Sequence, residues 1–184
     1  ALRPLLAELA PPPCRLHLTQ DNINAAARLL DSLPGHHWLA VAPGANWPGK
    51  KWPREHYRQL LHLAAPHFDG VMLLGSAQDR DDIAALTGTS LPTLNTAGQT
   101  DLCTAAALLA RARAFVGNDS GLGHMAAAMN TPTLTVFGPG QPNRYRPWGD
   151  HVRTVLAPQE NLAALAPAIV WAALQSLLAQ TSAR

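Results

Sequence analysis

The residue types best suited to chemistry in this chain are gathered in Gly117-Asn118-Asp119-Ser120-Gly121, with His124 close behind. Such a run suits an anion if a helix starts there. The first turn of a helix leaves backbone N–H groups unpaired and carries partial positive charge. Gly121 and Gly123 keep side chains off a backbone that a ligand would approach. Asp119 and Ser120 can either cap the helix or bind ligand hydroxyls. His124, four residues after Ser120, shares its face near the helix mouth. The same residues also describe a capped helix with no ligand, so the weight falls on the rest of the chain.

Two lysines, Lys50 and Lys51, close a Gly/Pro-rich loop from Pro43 to Pro53. An ammonium group at a strand end can meet a diphosphate. Gly44 to Lys50 also fits G-x-x-x-x-G-K, but Lys51 stands where a P-loop needs Ser or Thr for magnesium. Pro48 removes one N–H donor, and Trp52-Pro53 delays the helix that should cradle phosphates, so the match reads as coincidence. No strand is followed by G-x-G-x-x-G, and Asn118 occupies the first glycine position of a hydrolase elbow. His36-His37 reads as a surface pair, and no cluster of metal ligands emerges; neither a metal nor a cofactor is expected.

These residues need strands and helices to position them, and the chain supplies an alternation of both. Thr19-Gln20-Asp21 can cap a helix from about Asn22 to Ser32. Strands are expected at Trp38–Val41, Val71–Leu74, Thr93–Asn95, up to Phe115-Val116, at Thr133–Phe137 and at His151–Leu156. Helices are expected from Arg54 to about Ala65, after Asp79 to Leu86, from Leu102 to Ala110 behind a Thr100-Asp101 cap, and from His124 to Met129. A closing helix spans Asn161 to Gln180 with an early interruption at Pro167. The pattern implies a doubly wound α/β domain with a parallel sheet of about six strands and helices on both faces. Ligands of such sheets sit at the carboxyl ends of strands, where the strand order reverses. Three turns fall at such ends: Pro43–Lys51, Gly75–Asp79 and Gly117–Gly121.

At 184 residues the chain can bury a full core, and 47% hydrophobic with 14% charged residues marks it as globular. A formal charge of +2 with no basic stripe argues against nucleic-acid binding. No apolar run is long enough for a transmembrane helix, and no signal peptide is recognisable. Cys14 and Cys103 read as free buried thiols of a reducing cytoplasm. Pro11-Pro12-Pro13 is a stiff extended connector. Residues 1–20 are accordingly expected to lead from a preceding N-terminal domain, and 21–184 to form the α/β domain.

With Lys50, Asp79 and the Asp119 turn collected, the chain resembles the C-terminal half of a lipopolysaccharide heptosyltransferase, glycosyltransferase family 9. Pro43-Gly44-Ala45 with Lys50-Lys51-Trp52-Pro53 resembles the family's P-G-A…K-x-W-P. Leu73-Leu74-Gly75-Ser76 resembles its second strand and turn. Asn118 to His124, with Phe137-Gly138-Pro139, resembles its D-[TS]-G-L-x-H…[FY]-G-P signature. The likeness spans about residues 40 to 140 and implies a Rossmann-like, GT-B architecture of two domains facing a cleft. By that resemblance Lys50 pairs with the diphosphate and stabilises the departing ADP. Asp119, Ser120 and Gly121 contact sugar and phosphates with support from His124. Asp79, one carbon shorter than the family's usual Glu, faces the ribose, and the Gly98–Thr100 turn flanks the adenine. The catalytic base and the lipid-linked saccharide acceptor belong to the N-terminal domain, so this chain alone should bind donor without catalysing. The implied reaction is inverting transfer of heptose from ADP-heptose to the lipopolysaccharide inner core. Its setting is the cytoplasm at the inner face of the membrane, with peripheral membrane contact in the full-length enzyme. The competing readings are a non-catalytic nucleotide-binding module and a family 9 enzyme using another nucleotide sugar.

Overall fold

The computed structural model describes residues 14–182, so the triple proline and most of the expected connector lie outside the described residues. Six strands form one all-parallel sheet: β1 Trp38–Ala42, β2 Gly70–Leu73, β3 Thr93–Asn95, β4 Ala114–Asn118, β5 Thr133–Phe137 and β6 Val152–Leu156. Their order is β3-β2-β1-β4-β5-β6, so the order reverses between β1 and β4. These two central strands pair from Leu39 with Ala114 to Ala42 with Gly117. All residues of β1, β2, β4 and β5 are buried, as strands covered on both faces must be.

The strand period of two divides the core between the sheet's faces. Leu39, Val41, Val71, Leu73, Ala114 and Val116 pack on one side with helix α2 (Arg54–Ala64) and the C-terminal helix Pro167–Ser182. Trp38, Ala40, Ala42, Met72 and Phe115 pack on the other with α1 (Gln20–Leu30), α4 (Leu102–Arg111) and α5 (Gly121–Ala128). The short helices α3 (Arg80–Ala84) and α6 (Pro142–Tyr145) complete the order, and the C-terminal helix is α7.

Three sequence expectations are corrected. Helix α5 starts at Gly121 rather than His124, because Ser120 takes the extended N-cap conformation (φ −152°, ψ 167°) and two glycines follow inside the first turn. Helix α7 starts at Pro167, the position a helix tolerates for proline, rather than at Asn161. Upstream of it Gln159 and Glu160 have positive φ, and Asn161 caps only a short turn at Leu162–Ala164. Both cysteines are free but exposed, not buried: Cys103 stands on the first turn of α4, before its buried stretch begins at Thr104.

Candidate functional site

The three turns expected at strand ends converge on one cavity of about 970 Å³. From β1 it receives Gly44 and Lys50, from β2 the Gly75–Asp79 turn, and from β4 Asp119, Ser120, Gly121 and His124. Thr100, before α4, lines it as well, so all seven sequence-derived site residues meet in a single space. Leu74, Leu102, Ala105, Leu122 and Met125 give the cavity an apolar wall, and Tyr145 of α6 reaches its edge.

Lys50 and Asp119 are brought together across the strand-order reversal. Lys50 Nζ donates to Asp119 Oδ2 at 2.6 Å, with the side chains 23% and 10% exposed. The ammonium expected at a diphosphate therefore already holds a carboxylate of the same site. Lys51 is turned away. Its ammonium donates to Asp82 Oδ2 at 2.7 Å and lies 3.7 Å from Asp79 Oδ1. The hydrogen bond to Asp82 holds its pKa above the usual lysine value, against the opposing effect of desolvation.

The P-loop reading has no geometric basis. The N–H groups of Lys50 and Lys51 donate back to the carbonyls of Trp47 and Pro48 in a short 3₁₀ turn, and α2 begins only at Arg54. The helix start that opens onto the cavity is that of α5. There Ser120 makes no capping bond, and its Oγ is buried without a hydrogen-bond partner. A Cβ built on Gly121 meets nothing within 4 Å, so packing within the protein does not demand glycine at that position.

Asp79 is partly committed elsewhere. Its Oδ2 accepts from the Ser76 N–H at 2.9 Å and the Ser76 hydroxyl at 2.7 Å, closing the turn that carries it. The loops behind it are fitted to one another: a Cβ on Gly44 would lie 2.5 Å from the Asp79 carboxyl group. Gly98, with φ +65°, passes so close to Ala77 that a Cβ would sit 2.8 Å from its Cα. Among the described residues no group of three or more His, Cys, Asp or Glu side chains is gathered for a metal ion.

Sequence reasoning counted Asn118 in the motif without giving it a role, and it overlooked Tyr57. Asn118 Oδ1 accepts from the Trp52 N–H at 3.0 Å and from the Tyr57 hydroxyl at 2.9 Å, and its Nδ2 donates to the Pro43 carbonyl at 2.6 Å. Both residues are fully buried, and burial pushes the Tyr57 phenol upward in pKa. Trp52 packs edge-on to Tyr57 and donates its indole N–H to the Leu165 carbonyl at 2.9 Å. The available signal was a polar residue ending an otherwise apolar buried strand.

The sequence pattern of glycosyltransferase family 9 (heptosyltransferase) matches residues 8–167. The chain belongs to that family. It is 37% identical over 123 residues to lipopolysaccharide heptosyltransferase 2 of Escherichia coli K12, a match covering 64% of this chain and 35% of that protein. The structure of E. coli ADP-heptose lps heptosyltransferase II aligns with a TM-score of 0.80 at 30% identity, covering 94% of this chain and 56% of the other. E. coli heptosyltransferase WaaC, solved with ADP, aligns with a TM-score of 0.72 at 26% identity, covering 83% and 48%. This family 9 chain thus spans about a third to a half of the length of the curated relatives it matches, and about half of those solved structures. The family comprises enzymes, and the α/β fold expected from the alternating elements is the fold observed.

Proposed function

We propose that this chain is the nucleotide-sugar-binding domain of a heptosyltransferase, with ADP-heptose as donor and the lipopolysaccharide inner core as the destination of the sugar. The observation that carries the reading is the cavity at the β1–β4 reversal, where Lys50, Asp119 and the start of α5 converge. The relative solved with ADP and the E. coli ADP-heptose lps heptosyltransferase II support the choice of nucleotide.

The residues divide the work by chemistry. Transfer with inversion builds negative charge on the departing diphosphate, which Lys50 and the N–H groups at the start of α5 stabilise. Asp119 and the Ser120 hydroxyl receive sugar hydroxyls, and His124 flanks them. The apolar wall takes the adenine beside Gly98 and Thr100, and Asp79 offers the ribose its carboxylate oxygen not bonded to Ser76. The base, the lipid-linked acceptor site and any peripheral membrane contact belong to a further domain of a cytoplasmic two-domain enzyme, so this chain binds donor without transferring it.

Calorimetric titration of the chain with ADP, UDP and GDP, with and without magnesium, tests the reading. Binding that prefers ADP and ignores magnesium is expected. A preference for UDP or GDP replaces the proposed donor with another nucleotide sugar, and no binding of any nucleotide overturns the site.

A further inference from the structure

We infer that Asn118 is the positioning residue of this site, setting where Lys50 stands relative to Asp119; the inference rests on the donor-site reading above. Lys50 and Asp119 lie 69 residues apart, and their 2.6 Å contact needs the β1 loop held in register with the end of β4. Asn118 supplies that register. It is the residue immediately before Asp119, and it grips the loop at both ends: Pro43 through its carbonyl and Trp52 through its N–H. Lys50 sits between those two grips.

The Trp52 N–H, which can only donate, and the Pro43 carbonyl, which can only accept, fix which way the amide faces, and the Tyr57 hydroxyl of α2 adds a second bond to Oδ1. With Oδ1 already accepting from Trp52 and Tyr57, Nδ2 is the group left for the Pro43 carbonyl. Leucine at 118 can make neither contact, and an ionised aspartate can make only the accepting ones. The whole group is buried, so no water substitutes for a lost partner without rearrangement.

Two measurements on the full chain test the inference. The first is acylation of lysine by a water-soluble amine-reactive ester, read residue by residue by mass spectrometry. In Asn118→Ala and in the gentler Tyr57→Phe, labelling of Lys50 relative to Lys51 is expected to rise about threefold or more, toward the level of Asp119→Ala. An unchanged ratio in a folded variant overturns the inference. This arm needs no nucleotide, so it decides the matter even if ADP fails to bind and the donor-site reading falls.

The second is a double-mutant cycle on ADP affinity. Loss of the clamp should weaken binding about tenfold in the parent and less than about twofold in a Lys50→Ala background. A general loosening of the fold would weaken both backgrounds alike, and that result also overturns it. Should Asn118→Ala not fold, Tyr57→Phe completes the same cycle, with a smaller loss expected in the parent and none in the Lys50→Ala background.

Discussion

At the scale of single residues, the site's main feature is an ion pair between two groups that both face the ligand cavity. Lys50 is already paired with Asp119, so a diphosphate bound as proposed would compete for an ammonium held at 2.6 Å. Lys50→Ala should weaken ADP binding by about 1–3 kcal/mol, the scale of losing a charged hydrogen-bond partner. If Lys50→Ala and Asp119→Ala both bind ADP as the parent does, the site assignment fails. Gly121 offers a sharper discrimination. Because a Cβ there meets no protein atom within 4 Å, Gly121→Ala should leave stability unchanged or raise it by about 0.4–1 kcal/mol. The same methyl group would stand where a ligand approaches the helix start, so ADP affinity should fall. Paired urea unfolding and calorimetry separate the two effects, and an unaffected affinity would remove Gly121 from the site.

At the scale of elements, the helices owe their ends to caps and their places to the sheet. Asp101 accepts the Thr104 N–H at 2.6 Å at the start of α4, and Asp69 accepts the N–H groups of His36 and His37. These bonds hold both carboxyl groups below the ordinary value of 3.8. A folded-state pKa lowered in this way gives stability that is present above the ordinary value and lost as pH falls through the lowered one. Thermal melts should therefore drop in midpoint on acidification below about pH 4, and Asp101→Asn should flatten that fall, since asparagine caps without titrating. Equal slopes would refute the assignment. Farther in, Leu60→Ala on the buried face of α2 should cost about 2–5 kcal/mol in urea unfolding. Elements with strong patterns were readable in advance: β1, β5 and the Asp101 cap stand where apolar runs and cap chemistry put them. The start of α5 was misjudged because glycine disfavours helix on its own, and the position of α7 because local signals did not separate Asn161 from Pro167. The convergence of the three turns was legible from the doubly wound pattern. The Asn118 clamp was not, because its partners are Pro43, Trp52 and Tyr57, and only the folded register brings them together.

At the scale of the molecule, the strand order determines where binding is felt. The cavity draws on residues before α4 (Lys50, Gly75, Thr100) and after β4 (Asp119, Ser120, His124), joined along the central β1–β4 pairing. A ligand that binds only the folded state adds about 2.7 kcal/mol at a hundredfold excess over its Kd. ADP should accordingly raise the melting midpoint of the parent and raise that of Lys50→Ala far less at the same concentration; equal shifts would mean that the nucleotide binds elsewhere. The reversal of strand order has a practical corollary. The turn at Ala112-Arg113 separates two consecutive three-strand units, each carrying part of the cavity's lining and neither carrying all of it. Cut there, the chain becomes two complementary pieces that a nucleotide bound as proposed would span, and the reunion of those pieces would then read out its concentration as a split reporter does.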